Sequence, residues 1–331
     1  MKRIGIIGLF LVLSLWLAIP AWSQRGENNA YQAIQDERTP QRRIQLIEEF
    51  LNDYKNSAYR PDLDVELMNL YVGNRDWAKI LLRAESFRLE VPTADAISRS
   101  AVYTRAMLAA TQVNNMDKTT EFGERVLTAD PNNLSALLTL SSNIVARLPQ
   151  DAAARDAAIN KALDYAKRVQ AVPRPTTLSE DEWQRSQGRA HSTVGLIQFN
   201  KGQFAEAATE YSQALKVNPK DPDGQYRIGV AYFNLILTAI PVVQATMKAV
   251  NDASAAKADP KQLDELVAKR EAAAADMLEK RDLAIESLAR AVALGAAPAR
   301  TQLETLYKNK TGGSLDGLDQ LISQKKAELG L

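Results

Sequence analysis

One spacing constrains this chain more than any other. Gly195 returns 34 residues later as Gly229, with Tyr232 three further on. Around the first glycine, Val194, Gly202, Phe204, Ala207, Tyr211, Ala214, Leu215 and Pro219 stand at fixed offsets; after an interruption, Ala284, Leu288 and Ala291 repeat the spacing of Ala207, Tyr211 and Ala214. Small residues at 195 and 207 allow two helices to approach closely, and large ones at 204, 211 and 215 fill the seam between them. Pro219 ends the second helix, because proline cannot continue the hydrogen-bond ladder, and Asp221-Pro222-Asp223-Gly224 supplies a turn before the next one. A single helical hairpin cannot bury its own apolar face, so at least three must stack.

These offsets resemble the tetratricopeptide repeat, a helix-turn-helix unit with the pattern W-x2-L-G-x2-Y, then A-x3-F, then P. His191 and Gln198 hold the Trp and Tyr positions of the clearest unit, 188–219, and Gln225 the Trp position of the next. The resemblance implies an all-α, right-handed superhelical solenoid of antiparallel helix hairpins whose first helices line a concave groove. Carried over position by position, the groove residues are Arg189, Ser192, Phe199 and Asn200, then Asp223, Tyr226, Phe233 and Asn234 with Arg227 beside them. Aromatics flanked by amides and an arginine suit an extended peptide, with Phe199 and Phe233 as neighbouring anchors; the competing reading makes those two phenylalanines seam residues. Family members that clamp a terminal carboxylate use a Lys and Asn pair where this chain has Ser192 and Leu196.

Degenerate copies extend the pattern in both directions. One starts near Pro61 and closes at Pro92, with Tyr71 and Trp77 inside it; another has a first helix from about Ser100 to Val113 and a turn at Pro131-Asn132-Asn133; a third runs from Leu134 to Pro173, lengthened by the Ala-rich stretch Asp151–Ala158. Residues 24–173 are thus expected as degenerate hairpins, starting with one at Ala30–Tyr59. Residues 174–187 are expected as a joint, because Pro173 and Pro175 break helices and Ser179-x-x-Glu182 is a capping box that restarts one. Residues 188–298 hold the repeat pair, and 299–331 a C-terminal cap.

Inside the repeat pair, 43 residues more than the period allows separate Ala207 from Ala284. They are mostly helix formers with a break at Asn251–Pro260, which predicts two overlong helices, about Asp223–Val250 and Lys261–Leu294, carrying a hairpin arm at about 235–280. Pro241 should kink or stop the first of them. That helix is apolar nearly all round from Leu235 to Met247, whereas Leu263, Leu266, Val267, Met277 and Leu278 give its mate a single stripe. The economical expectation is an arm folded back and buried on the stack; the alternative is a contact face for a partner, a second copy or a membrane.

At the N-terminus, Lys2 and Arg3 precede the uncharged run Ile4–Ile19, then Pro20 and Ala21-Trp22-Ser23. A basic start, an apolar middle and small residues before a cut after Ser23 make residues 1–23 a secretory signal. The rival is an uncleaved anchor, the single membrane contact then expected, since a span needs roughly 17 to 25 apolar residues. An exported protein without cysteine fits a bacterial periplasm or envelope.

Composition closes off most chemistry. With 41 Lys+Arg against 40 Asp+Glu and no basic block, nothing marks a nucleic-acid partner. Zero cysteines and one histidine leave no usual metal or nucleophile set, so no cofactor and no metal are expected. Ser254-x-x-Lys257, Ser323-x-x-Lys326 and Lys310-Thr311-Gly312 echo beta-lactamase motifs, but no S-D-N accompanies them and their surroundings are helical. Asp221-Pro222-Asp223-Gly224 reads as a turn rather than a calcium loop, and Glu48-Glu49 and Asp264-Glu265 as solvated helix faces. His191, at a packing position, reads as structural. The function expected is a non-catalytic scaffold or adaptor that binds another protein or a peptide segment; the alternative is an assembly subunit or homo-oligomer formed through the arm.

Overall fold

The computed structural model describes residues 20–92 and 94–331; the apolar run of the expected signal lies outside them. The described residues form fourteen α-helices and no strand. Two compact units divide after Ala136, and each is described by itself.

The first unit holds α1 (Pro20–Asp36), α2 (Pro40–Asp53), α3 (Arg60–Asn74), α4 (Trp77–Glu90), α5 (Ala96–Gln112) and α6 (Met116–Ala129). Helix α1 begins ahead of the expected cut after Ser23 and runs through it. Each hairpin has local reasons to start and stop where it does. Asp95 caps α5 by accepting from the Ser98 amide at 2.9 Å, and Asn115 caps α6 through the Lys118 amide at 3.0 Å. Arg75 ends α3 in the left-handed conformation, φ 60°. Ile47, Phe50, Leu67, Met68, Ile80, Phe87, Tyr103 and Phe122 form one buried core, with Phe87 edge-on to Tyr103 and Tyr103 stacked on Phe122, both at 6.2 Å. Arg60, also buried, donates to the Leu51 carbonyl and to Glu90, tying α3 to the end of α2 and to α4.

The division falls inside α7 (Leu134–Ala146), not at the expected joint of 174–187. The capping box at that joint does form, with Ser179 and Glu182 bonding reciprocally. It connects α8 (Ala152–Ala171) to α9 (Glu180–Asn200), and those two helices pack together, so the prolines mark a turn inside the second unit. Then follow α10 (Phe204–Val217), α11 (Pro222–Ala255), α12 (Pro260–Ala293), α13 (Ala299–Thr311) and α14 (Leu318–Glu328). Each helix from α8 to α12 packs on its successor, and α14 returns to α12.

Helices α11 and α12 each have 34 residues. Along α11, Ile236, Ala239, Val243, Thr246, Val250 and Ala253 are withdrawn from solvent, and most residues between them are exposed. Alternating steps of three and four are the 3.5-residue spacing of a coiled-coil seam, so in this stretch the hairpin buries one stripe of α11 and leaves the rest open. Leu237 is 48% exposed, Val242 54% and Met247 50%. The expectation of an arm buried on the stack is therefore overturned: the outer face of α11 stays in solvent because its seam partner covers one side alone. Pro241 neither stops the helix nor sits in that seam. It is exposed, as is Leu237, whose carbonyl it cannot bond, and water can satisfy that oxygen. Helix α11 is long and apolar enough to cross a membrane, yet its mate carries charges throughout Lys261–Asp282, a poor surface for lipid.

Candidate functional site

The arrangement of α9 and α10 follows from residue size. A Cβ at Gly195 would lie 2.9 Å from the Tyr211 ring, and one at Gly188 would lie 3.2 Å from Val217 Cβ. Only glycine lets the two axes come this near, which buries Val194 and Ile197 and turns Arg185, Arg189, Ser192 and Leu196 away from the core. These four side chains line two adjoining recesses of the second unit. One, of 400 Å³, is bounded by Arg185, Arg189 and Asn218; the other, of 210 Å³, by Val145, Leu196, Asp223 and Arg227; Ser142, Ser192, Thr193 and Asp221 belong to both. The walls come from α7, α9 and the start of α11, which are the first helices of successive hairpins.

Charge in this groove is unevenly committed. Asp221 caps α11 by accepting from the Asp223 amide at 3.1 Å. Arg227 pairs with Asp223 at 2.6 Å and reaches the Tyr211 hydroxyl. Burial alone would pull the Arg227 guanidinium below its ordinary range, and those two oxygen partners more than offset it. Arg189, by contrast, is exposed and has no ion-pair partner among the described residues. It is the cation available to an incoming group.

Of the residues assigned to the groove from sequence, Arg189, Ser192, Asp223 and Arg227 line the recesses. Phe199 packs on the α10 core, with its ring 5.2 Å from Phe204 in edge contact, and Tyr226 and Phe233 pack on the core shared by α11 to α14. Asn200 is exposed at the end of α9, and Asn234 turns back on its own helix, donating to the Val230 carbonyl at 2.8 Å. Sequence reasoning missed Arg185, Ser142 and Asn218. Arg185 stands four residues before Arg189, one helical turn along the same face, and that spacing was a legible signal. His191 bonds Glu210 at 2.7 Å and Gln170 at 2.9 Å, joining α9 to α10 and α8.

A matching recess exists in the first unit, 88 residues earlier. Ile97, Ser100, Ala101, Thr104, Ala129, Asp130 and Asn133 occupy the places of Arg185, Gly188, Arg189, Ser192, Val217, Asn218 and Asp221. Among the described residues, no group of three or more His, Cys, Asp or Glu side chains is placed to hold a metal ion.

Residues 195–235 match the family model described as TPR repeat. Within that segment the chain carries a tetratricopeptide repeat. Solved structures of low identity are similar to this chain. YrrB, described as a TPR protein with an unusual peptide-binding site, is 16% identical with TM-score 0.44, the match covering 73% of this chain and 91% of that one. A tetratricopeptide repeat protein from Parabacteroides merdae is 11% identical with TM-score 0.42, covering 85% and 96%. PilF of Pseudomonas aeruginosa is 12% identical with TM-score 0.39, covering 81% and 97%. No curated relative matches the sequence.

Proposed function

We propose that the chain is a non-catalytic scaffold of the bacterial cell envelope that holds an extended segment of a partner protein in the groove between α7, α9 and α11. The observation that carries this is the groove itself: first-helix walls, apolar patches at Val145 and Leu196, hydroxyls at Ser142 and Ser192, and an uncommitted cation at Arg189. Apolar contact supplies affinity, and polar groups at fixed intervals set the register of a bound backbone. Tetratricopeptide-repeat proteins mediate protein–protein and peptide binding in general; the envelope location rests on the signal-like N-terminus.

The test places a photo-crosslinking amino acid at position 189, or at exposed Thr209 on α10 as control, in cells fractionated into cytoplasm, periplasm and membrane. Discrete adducts from 189 and none from 209, in a periplasmic protein that begins at Gln24, are the expected result. Equal labelling from both positions, or none, removes the groove reading; a cytoplasmic protein retaining Met1 removes the location.

A second reading, assembly through the 235–280 arm, draws on the exposure of Leu237, Val242 and Met247. It requires a mass that rises with concentration and falls back to one chain in Val242→Glu. A concentration-independent monomer eliminates it.

A further inference from the structure

The recess of the first unit differs chemically from its counterpart in the second. Where the second has Arg185, the first has Ile97, a large apolar side chain 83% exposed at the mouth of a 470 Å³ recess. Ile97 packs on no core, so its exposure serves no folding purpose visible here. Two helical turns further along the same face of α5 stands Arg105. Its Nε donates to Asn69 Oδ1 at 2.5 Å and one terminal nitrogen donates to the Ala101 carbonyl at 2.6 Å, which fixes the guanidinium between α3 and α5. Neither acceptor carries charge. Arg105 is half-buried and has no carboxylate partner among the described residues, and burial holds its guanidinium below the ordinary value.

A cation partly stripped of water and bonded to neutral oxygens alone is an anion site waiting for its charge. The acid already lining the recess does not supply it: Asp130 accepts from the Asn132 amide and the Asn133 side chain, both at 3.2 Å, and stays within its own turn. Between Ile97 and Arg105 lie Ser100, Ala101 and Thr104, a small and hydroxylated floor suited to a peptide backbone. Eight residues of helix cover about 12 Å, and an extended chain covers that in about four residues at roughly 3.3 Å each. Side chains four apart on an extended chain point the same way.

We propose that this recess is a second docking site, taking an extended partner segment in which an apolar side chain stands four residues from an Asp or Glu. The apolar group rests on Ile97, the carboxylate meets Arg105, and Ser100 and Thr104 bond the intervening backbone. All of its residues belong to the first unit.

The probe is a fluorescein-labelled peptide, Asp-Thr-Ser-Thr-Leu-Thr-Ser-Thr-Asp, which offers the spacing in either chain direction; its control has Asn at both ends. Anisotropy with the full chain should show saturable binding of the acidic probe and binding about tenfold weaker for the amide control. Ile97→Asp and Arg105→Gln should each weaken the acidic probe by a similar factor, and Thr209→Ala, an exposed change on α10, should leave it unchanged. Ile97 is exposed, so its variant folds; if Arg105→Gln loses helicity by circular dichroism, Ile97→Asp and the amide control decide. The proposal is overturned by equal binding of acid and amide, by wild-type binding in Ile97→Asp, by a loss on Thr209→Ala equal to that on Ile97→Asp, or by no saturation up to about millimolar protein.

Discussion

Gly229 on α11 faces Leu288 on α12 so closely that a Cβ there would stand 2.7 Å from Leu288 Cγ. Gly195 meets Tyr211 in the same way, at 2.9 Å from the ring. The inserted residues therefore leave the repeat contact intact and carry the arm beyond it. Gly229→Ala should destabilise the second unit by about 1 to 3 kcal/mol, since the new methyl has to displace Leu288. Leu288→Ala alone should cost about 2 to 5 kcal/mol. The double variant should lose less than the two combined, because the cavity made by one accepts the methyl of the other. Urea unfolding of all four proteins checks this, and strict additivity would show that the two residues do not meet.

Pro241 lies inside α11 without ending it. Pro241→Ala restores one backbone donor and removes a ring clash, worth up to about 3 kcal/mol locally. Slower hydrogen exchange over residues 237–245 is the expected readout. Unchanged exchange there would mean that the helix is not continuous through the proline.

Arg75 occupies a left-handed position at the end of α3, where its amide bonds the Val72 carbonyl at 3.1 Å and the Asp76 amide bonds the Tyr71 carbonyl at 2.9 Å. Glycine keeps both bonds without the Cβ penalty, so Arg75→Gly should raise the stability of the first unit by about 1 kcal/mol. Thermal unfolding measures the gain, and a lower midpoint would contradict the conformation.

Glu85 on α4 accepts from Lys118 of α6 at 2.6 Å and lies near Arg125. The Lys118 hydrogen bond holds its carboxyl below the ordinary 4.5, outweighing the opposing effect of burial. A carboxylate whose folded value is depressed adds stability above pH 4.5 and loses it as pH falls through the folded value. Glu85→Gln should cost about 0.5 to 1 kcal/mol at neutral pH, and the difference from wild type should vanish once the Glu85 carboxyl is protonated in the folded and unfolded states alike. Denaturant titrations across that acid range test the sign: a gap that widens on acidification contradicts it.

What could be read from the chain followed how directly each residue reports its contact. The pairs Gly195–Tyr211 and Gly229–Leu288 were legible because a small residue opposite a large one has few uses other than close helix packing. Phe199 and Phe233 were ambiguous for the opposite reason. An aromatic at a helical position serves core and surface alike, and the structure packs both against cores. The recess on α5 was not legible. Ile97 and Ala101 share no chemistry with Arg185 and Arg189, and their separation of 88 residues is not a multiple of 34, since α8 is longer than α6 and α10 and the connections 147–151 and 172–179 on either side of it lengthen the spacing further. The expected joint misled because two closely spaced prolines break a helix whether the break leads to a new unit or to a turn within one.

The coiled-coil spacing of the arm has a consequence for how its length can change. Because Ile236, Val243 and Val250 recur every seven residues on α11, as Leu263, Arg270 and Met277 do on α12, deleting one heptad from each strand of the hairpin retracts its tip by about 10 Å and leaves every remaining layer in register. The arm is thus adjustable in whole steps, a spacer whose reach can be reset while the repeats beneath it stay untouched.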